Sequence, residues 1–532
     1  MSGFSPASGP VGTKVTISGS GFVASDIVAF NGTTATVARV NPAGTTLKTS
    51  VPALATTGLI TVTDPATGQR VALPHSPFKV TKGIFATPNR VWAGGRFTLE
   101  GSGLSPDHSD RVLIGTTTIV QARINANGDF KIGVSVPWDE MSRAAHLSVD
   151  DFAGSVITIL YILGSWPMYR HDPQHTGVDT YETSLSVNTV QALKQLWMKL
   201  TLPSGTFAMI PSVANGLVYE GADESDYFNL YAFTTDGKKM PWYTGYPYSL
   251  LEAEPAVTNG DLYYSAAETI SPFDASVNAA TGTQNWANGL SIISTDSPSA
   301  PNVAGGRMFV GAPDGNLYAI NTSTGDPDWS FQTGGAVHSS PAYDNGIVYV
   351  GSDSGYLYAI HAATGVKDWS YGSGGVIDSS AAVVGGIVYV GTENDYAGSV
   401  IALNATTGAV VWHDTFKGES FPTSPAVANG VVYIGGSSGV TGYMYGLNAS
   451  TGAQEWHVTS GPTVTDPAYA NGVVYYSVDG SSASGKAQVR AIDAGNGNVL
   501  WHSYSVTDPL APIISNGIVY VEGENAIFAF SL

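Results

Sequence analysis

Tryptophan recurs at a nearly constant interval along the last two-thirds of this 532-residue chain. The steps between eight successive tryptophans are 45, 44, 43, 40, 43, 44 and 45 residues. A repeat of this length is typical of an array in which each unit is a four-stranded sheet. The eight tryptophans are Trp197, Trp242, Trp286, Trp329, Trp369, Trp412, Trp456 and Trp501.

One unit shows how such a sheet is built from short strands and tight turns. An inner strand at 341–344 leads through Asn345–Gly346 into the β-rich run 347–351, and Thr364–Gly365 precedes Trp369. Asn-Gly and Thr-Gly pairs suit turns because glycine adopts positive φ without strain. The units begin at Pro211, Pro255, Pro301, Pro341, Ala381, Pro425, Pro467 and Pro512.

The two ends of the repeat region predict how the array closes. The last unit supplies strands at 518–521 and 526–530, and the chain stops before a further tryptophan. The missing outer strand is present at 193–200, around Trp197. We therefore predict an eight-bladed β-propeller over residues 164–532, closed by this N-terminal outer strand. Such closure removes two unpaired sheet edges.

The residues before the propeller predict two further all-β domains. Short alternating strands at 15–19 and 28–30, followed by the turn Asn31–Gly32, indicate a β-sandwich over residues 1–81. Similar patterns restart in the next segment, with strands at 97–104 and 156–163. We predict a second immunoglobulin-like sandwich over residues 82–163.

Composition excludes several classes of function. With 22 basic and 42 acidic residues, the net charge of −20 repels phosphate backbones, so we expect no nucleic-acid partner. The absence of cysteine excludes disulfides, Cys-ligated zinc and iron–sulfur clusters. No apolar run approaches about 18 residues, so we expect no membrane-spanning segment.

The first domain resembles a known family. Phe4–Thr13, Ile17–Phe22 and Phe30–Gly32 are similar to the corresponding words of IPT/TIG domains, which are immunoglobulin-like modules. In bacteria that family is mostly found in surface and secreted proteins. The resemblance therefore implies an extracellular or cell-surface location, with a signal peptide removed from this chain.

The repeat resembles the tryptophan-docking motif of PQQ-like (quinoprotein-type) propellers. Ala359–Gly365 with Trp369 carries the pattern, and 402–408 with Trp412 and 446–452 with Trp456 repeat it. The lead-in Trp166–Asp172 also fits. In that family the indole packs flat on the neighbouring blade. The resemblance therefore implies a structural role for the repeat tryptophans.

The same resemblance bears on cofactors. Quinoprotein alcohol dehydrogenases hold PQQ between a tryptophan and a vicinal Cys-Cys disulfide, beside a metal, and this chain has no cysteine. We therefore expect no PQQ. The cofactor-free scaffold propellers of outer-membrane protein assembly are the better comparison.

The loop face of a propeller is the default place for a ligand. Carboxylates and one histidine stand just before most inner strands, and Tyr396 lies in a long loop of the same face. Three interpretations stay open: solvated loop acids, a site for a cation such as Ca²⁺ or a cationic ligand, and acid–base catalysis by His338 with Asp378. The residues before the inner strands are Glu252, Glu254, Asp296, His338, Asp378, Asp466 and Asp508.

Two functional hypotheses follow. In the first, the chain is a secreted or cell-surface binding or scaffold protein whose propeller face engages a protein or a glycan. In the second, it is an extracellular enzyme at the propeller mouth, either a PQQ-dependent dehydrogenase-like protein or a polysaccharide lyase or hydrolase. The missing cysteine pair and the lack of a catalytic motif favour binding.

Overall fold

A computed structural model of the chain divides into two compact units, Met1–Leu163 and Gly164–Leu532. Among the described residues the helical part is the 3₁₀ helix Val190–Ala192, which confirms the all-β fold class. The described part also contains no helix long and apolar enough to cross a bilayer. The structure describes residues 1–52, 55–72, 77–87, 90–92, 96–107, 109–114, 117–136, 143–149, 156–163, 168–179, 182, 184–200, 209–214, 216–224, 227–247, 249–250, 253–268, 273–288, 298–394, 397–478, 487–503, 506, 508–523 and 526–532.

The first unit begins with two packed four-stranded sheets and a short parallel pair of strands, Ser8–Gly9 with Lys79–Val80. Val15 and Ile17 alternate with exposed or half-buried neighbours, so one face of their strand enters the core. Asn31 and Gly32 both have positive φ and join two strands in a tight hairpin. The strands are Gly3–Ser5, Ser8–Gly9, Lys14–Ser18, Ile27–Phe30, Thr33–Ala35, Val37–Val40, Thr46–Ser50, Ile60–Thr63, Arg70–Ala72 and Lys79–Val80.

The rest of this unit forms a three-stranded and a five-stranded sheet. Phe97, Leu99, Val112 and Leu147 form part of a core that is separate from the core of the first two sheets. The unit therefore contains two sandwiches in succession. The strands of the second are Gly83–Thr87, Arg90–Trp92, Arg96–Ser102, Ser109–Ile114, Thr117–Arg123, Phe130–Ser135, Arg143–Val149 and Val156–Leu163.

Within its described residues, the second unit forms eight sheets, which we number blades 1 to 8. The strands of blades 1 to 3 are Ser212–Ala214, Leu217–Glu224, Tyr227–Thr234 and Lys239–Pro247; Ser249–Leu250, Ala256–Thr258, Asp261–Glu268, Phe273–Asn278 and Gln284–Asn288; Asn302–Ala304, Arg307–Gly311, Asn316–Asn321 and Pro327–Gln332. Those of blades 4 and 5 are Ala342–Asp344, Ile347–Gly351, Tyr356–His361 and Lys367–Gly372; Ala382–Val384, Ile387–Gly391, Ala397–Asn404 and Val410–Lys417.

Blades 6 to 8 continue the same order from a short inner strand outwards. Their strands are Ala426–Ala428, Val431–Ser437, Gly442–Asn448 and Gln454–Thr459; Ala468–Ala470, Val473–Val478, Gln488–Asp493 and Val499–His502; Ile513–Ser515, Ile518–Gly523 and Ala526–Ser531 with Lys194–Leu200. Val178–Asp179 adds a short parallel strand to the inner edge of blade 7.

Blade 8 is built from both ends of the propeller region. Lys194–Leu200 pairs antiparallel with Ala526–Ser531, with Trp197 opposite Ala529. This is the pairing expected from the missing outer strand of the last unit. One apolar cluster joins blade 8 to both of its neighbours, because it contains Val213 of blade 1 and Tyr475 of blade 7.

Seven of the repeat tryptophans, those whose side chains the structure describes, tie their blade to the next through the indole N–H. In blade 5, Trp412 Nε1 donates to the Ala449 carbonyl oxygen at 2.8 Å, and the ring lies against Gly452. A Cβ on Gly452 would collide with the indole, so this position has to be glycine. The same bond joins Trp197 to Thr235, Trp286 to Thr322, Trp329 to Ala362, Trp369 to Ala405, Trp456 to Ala494 and Trp501 to Leu193. The side chain of Trp242 lies outside the described residues.

Replacing Trp412 by alanine should lower the free energy of unfolding of the propeller by about 3–5 kcal/mol, because a buried ring and its hydrogen bond are both lost. Trp412→Phe should cost less, since the ring contact remains and Tyr389 still donates to Ala449. Urea denaturation measures both. The exposed neighbour His413→Ala is the control and should change stability by less than about 0.5 kcal/mol. An unchanged midpoint for Trp412→Ala would contradict the docking role.

Candidate functional site

Residues 168–179, which we call the plug segment, lie against the inner strands of five blades. The short three-residue strand of each blade is the one nearest the propeller axis, so a segment that bonds to the short strands of five blades fills that axis. Asn302 of blade 3 donates its side-chain N–H to the Pro173 carbonyl. Backbone N–H groups of blades 4 to 7 donate to successive carbonyls: Tyr343 to Pro173, Val383 to Gln174, Val427 to Thr176 and Tyr469 to Gly177.

The backbone of the plug segment is strained. Arg170, His171 and His175 have φ of 57°, 80° and 56°, in the left-handed region that side chains with a Cβ rarely adopt. Such residues cost about 1–3 kcal/mol each and persist only where surrounding contacts determine them. Here the contacts are the bonds to the inner strands and a turn in which Gly177 donates to the Arg170 carbonyl.

The plug segment also buries ionisable groups. His171 Nδ1 lies 3.4 Å from a carboxylate oxygen of Asp172. Burial alone would lower the pKa of His171, but Asp172 outweighs it and raises that pKa. Burial opposes ionisation of Asp172, yet hydrogen bonds from His171 and Thr176 lower its pKa. His175 lacks such a partner, and burial lowers its pKa to about 3. We assign this network to holding the plug segment in place.

Glu182 fixes the chain just after the plug segment. Its buried carboxylate accepts backbone N–H groups from Ser184 and Leu185 of its own loop and from Gly517 of blade 8. The Glu182 side chain therefore links the chain just after the plug segment to blade 8, which closes the propeller.

We expect Glu182→Ala to lower the free energy of unfolding by about 3 kcal/mol, because charge-assisted hydrogen bonds contribute roughly 1.5–3 kcal/mol each. Glu182→Gln should also destabilise the fold, since its amide N–H₂ would replace one of the two carboxylate oxygens and face a backbone N–H donor instead of accepting from it. Thermal unfolding provides the measurement. Glu455→Ala, at an exposed carboxylate of blade 6, is the matched control and should leave the midpoint unchanged. Equal midpoints for the Glu182 and Glu455 variants would contradict the anchoring role.

Tyr169 of the plug segment borders a cavity of about 590 Å³, which we call the mouth cavity. Four of the acidic and histidine residues predicted for the loop face line it: Glu254, His338, Asp378 and Asp466. Their register explains why these four meet. Glu254 and Asp466 directly precede the first residue of their unit, while His338 and Asp378 stand three positions before it. Residues at the same two positions of other units, such as Ala300 and Pro422, line this cavity too.

Other predicted residues do not join them. Asp508 stands four positions before its unit and is exposed outside the cavity lining. Glu252, Asp296 and Tyr396 lie outside the described residues.

The floor of the mouth cavity is a hydrogen-bonded chain that crosses four blades. The backbone N–H of Ser340 donates to Ser380 Oγ at 2.7 Å, and that of Ser380 donates to Ser424 Oγ at 3.0 Å. Ser424 N–H donates to Asp466 Oδ1 at 2.8 Å, and the Tyr169 hydroxyl donates to Asp466 Oδ2 at 2.5 Å. These side chains are therefore already oriented before any ligand arrives.

We did not predict this floor from the sequence. A sequence pattern that could have predicted the floor is a polar residue directly before the first residue of four successive units. The pairs are Ser340–Pro341, Ser380–Ala381, Ser424–Pro425 and Asp466–Pro467. Tyr169 carried no such signal, because it belongs to the plug segment.

Two carboxyl groups of the mouth cavity hold protons unusually tightly. Burial raises the pKa of Glu254 well above its ordinary value, despite Ser212 and Arg170 nearby, which lower it. Burial and the adjacent Asp353 carboxyl raise the pKa of Asp378 to about 6. Positive charge supplied by a ligand would favour the ionised forms of both groups.

His338 and Asp378 share the mouth cavity, but the nearest carboxylate of His338 is another one. His338 Nε2 lies 3.7 Å from Asp353 Oδ2. Asp353 is therefore near both residues considered for acid–base chemistry, since it lies against His338 and its carboxyl raises the pKa of Asp378.

A second cavity of about 650 Å³ adjoins the mouth cavity and shares Asp378 with it. Glu393 and Glu419 add two further carboxylates to its lining, and Tyr445 donates its hydroxyl to Glu419 at 2.7 Å. Burial and Asp353 raise the pKa of Glu393. The two cavities thus form one acidic trough from the axis towards blades 5 and 6.

The donor groups of this trough suit neither cofactor considered for the fold. PQQ carries three carboxylates, and the described lining of the mouth cavity offers Glu254, Asp378 and Asp466 with no lysine or arginine to receive them. In addition, the plug segment occupies the axis. For a metal, no three His, Asp or Glu side chains of the described residues come together closely enough to hold an ion.

Asp353→Asn should lower the pKa of Asp378 from about 6 towards its ordinary value, because the like-charged neighbour is removed. Carboxyl ¹³C NMR of aspartate-labelled protein measures the titration, with the Asp378 signal assigned from Asp378→Asn. Asp368→Asn, an exposed carboxylate of the same blade, is the control. An Asp378 titration that is the same in both variants would show that Asp353 does not raise its pKa.

Comparison with known proteins agrees with this architecture. Residues 274–420 and 396–532 match the family model described as outer membrane protein assembly factor BamB, and residues 1–74 match the IPT/TIG domain. The second unit is thus a propeller of PQQ-like repeats. The chain combines BamB-like repeats with an N-terminal IPT/TIG domain. A search of curated proteins found no match.

Solved structures share the propeller fold at low identity. BamB from Moraxella catarrhalis superposes with a TM-score of 0.52 at 15% identity, over 64% of this chain and 98% of that one. Quinohemoprotein alcohol dehydrogenase from Comamonas testosteroni gives a TM-score of 0.55 at 14% identity, over 69% and 80% of the two chains. At these identities the likeness shows the fold alone.

Proposed function

We propose that this chain is an extracellular or envelope binding protein whose propeller mouth engages a partner polypeptide and takes a cationic side chain of that partner. The observation that carries the proposal is the preformed mouth cavity, whose described lining contains three carboxyl groups and one histidine but no lysine or arginine. A lysine or arginine of a partner supplies the missing charge.

The geometry of the cavity supports a side chain rather than a free ion. A volume of about 590 Å³ exceeds what a bare cation needs and lies in the range of ligand-binding clefts. The second cavity continues from Asp378, so a chain segment that places one residue at the axis has space to run towards blades 5 and 6. The fixed orientation of Ser424 and Asp466 lowers the entropic cost of binding.

The fold comparisons support the protein-binding part of the proposal. BamB, which shares the propeller, is named as an outer membrane protein assembly factor. IPT/TIG domains are mostly found in surface and secreted bacterial proteins, which supports the extracellular or envelope location. A neutral glycan fits the cavity less well, because its hydroxyls would leave the carboxylates without a counter-charge.

We expect a short Gly/Ser peptide with one lysine to bind at least about tenfold more tightly than the same peptide with acetyl-lysine, since one charge-assisted bond contributes about 1.4 kcal/mol or more. Isothermal titration calorimetry measures both affinities. Asp466→Asn should remove most of the preference. The exposed Asp508→Asn, outside the cavity, should retain it.

The affinity for the lysine peptide should fall as the pH drops through about 6, because Asp378 becomes neutral there. Asp378→Asn should lose this dependence. Equal binding of the two peptides, or a preference that survives in Asp466→Asn, would overturn the proposal. Stronger binding of neutral oligosaccharides than of the lysine peptide would also overturn it in favour of a glycan-binding protein.

A further inference from the structure

The lining of the mouth cavity changes in character around the axis. In seven of the eight units, the residue directly before the first residue of the unit belongs to the described lining. In blades 4 to 7 this residue is polar and forms the floor of the cavity. In blades 1 and 3 it is apolar, Ile210 and Ala300. The floor therefore occupies one half of the ring of blades, and the other half carries different side chains.

Further apolar residues extend this second half. Met209, Ala253 and Leu510 each stand two positions before the first residue of their unit, in blades 1, 2 and 8, and all three line the cavity. Blades 8 and 1 are neighbours, joined by one apolar cluster. Apolar side chains from four consecutive blades thus stand on the other side of the axis from the floor. We call these residues the apolar wall: Met209, Ile210, Ala253, Ala300 and Leu510.

Two residues of the apolar wall carry its accessible surface. Ile210 and Leu510 are half-buried, while the other three members are at most 7% exposed. Glu254 stands between Ile210 and Ala300 in the ring, but it is only 4% exposed, so it adds little polar surface to this side. A ligand in the cavity therefore meets aliphatic surface on one side and hydroxyl and carboxyl groups on the other.

The apolar wall is held in place by the blades behind it. The Leu510 N–H donates to the Glu522 carbonyl of blade 8 at 2.8 Å, and the Leu510 carbonyl accepts the Ser477 hydroxyl of blade 7 at 2.7 Å. Ile210 packs against the apolar cluster that joins blades 7, 8 and 1. Because these groups are already ordered, contact with them costs little conformational entropy on the side of this protein.

A cationic group alone uses only half of this lining. An ammonium or guanidinium group at Asp466 meets the polar floor and leaves Ile210 and Leu510 in contact with water. An aliphatic side chain against these two residues removes apolar surface from water, which is favourable. The cavity therefore complements two side chains of different character better than it complements one.

The separation of the two side chains follows from the path open to the partner. The second cavity leads from Asp378 towards blades 5 and 6, whereas Leu510 and Ile210 belong to blades 8 and 1, on the other side of the axis. A segment that crosses the mouth in extended form points every second side chain to the same face, with about 6–7 Å between them. Two positions is thus the shortest separation at which both side chains enter the cavity.

We propose that the mouth cavity recognises two side chains of an extended partner segment, a lysine or arginine at Asp466 and an aliphatic residue two positions away against Ile210 and Leu510. This inference rests on the proposed function, from which it takes the cationic side chain. It adds the character of a second side chain and the separation of the two. The partner is then a polypeptide that carries a basic and an aliphatic residue at alternate positions.

Isothermal titration calorimetry of the full chain with Gly/Ser peptides of equal length tests the inference. One peptide carries lysine alone, two carry leucine two residues before or after the lysine, and two carry leucine directly beside it. We expect the better of the two alternate placements to bind at least about fivefold more tightly than the lysine peptide, because the leucine leaves water. The adjacent placements should gain less than about twofold, because that side chain points away from the cavity.

Two variants separate the wall from the floor. Ile210→Ala combined with Leu510→Ala should reduce the leucine gain to less than about twofold and keep the preference for lysine over acetyl-lysine. Asp466→Asn should do the reverse, losing the lysine preference and keeping the leucine gain. Val366→Ala, at a 61% exposed valine of blade 4, is the control and should bind every peptide as the parent does.

Failure of this inference can be told apart from failure of the proposed function. A lysine preference with no gain from leucine at alternate positions overturns the inference alone, because the methylene stem of lysine then covers the apolar wall by itself. Equal gains from adjacent and alternate leucine, or a gain that survives in the double variant, also overturn it. A parent that does not prefer lysine to acetyl-lysine overturns both together. The parent's peptide series decides the inference even if a variant fails to fold.

Discussion

The propeller depends on one interaction that recurs between successive blades. In the seven blades whose outer-strand tryptophan side chain is described, the indole N–H donates to a carbonyl of the next blade. The bond is modest in free energy, but it carries a large ring with it, and in blades 3 to 6 and 8 the ring covers a glycine turn that admits no side chain. The bond and the ring contact together fix the position of each of these blades relative to the next. The mouth cavity requires this regularity, because its lining comes from the same position in several blades.

The centre of the molecule is organised by a different device. Inner strands present unpaired N–H groups to the axis, and the plug segment receives them with successive carbonyls. Its left-handed residues are tolerated because these bonds determine the path of the chain. Tyr169 at its upper end then becomes the floor of the mouth cavity. Support at the axis and the chemistry at the mouth therefore belong to one continuous stretch of chain.

The sequence predicted the parts of the structure that local chemistry determines. The tryptophan interval gave the repeat, Asn-Gly pairs gave the hairpins, and the unfinished last unit gave the partner of Lys194–Leu200. The plug segment was not predictable in the same way, since its partners follow more than 120 residues later. The acids of the loop face were predicted as a class, but only the register before each inner strand decides that Asp466 reaches the cavity and Asp508 does not.

The position of the plug segment near the start of the propeller region has a consequence for synthesis on the ribosome. Residues 168–179 emerge before any inner strand of blades 3 to 7, so their carbonyls are available to each blade as it arrives, and the strained path of the segment forms as the blades bind it. Blade 8 has the opposite requirement, because its outer strand emerges early and waits for Ala526–Ser531. The blades can thus add in order as their partner carbonyls are already synthesised, while the edge at Lys194–Leu200 stays open to wrong partners until residues 526–531 appear.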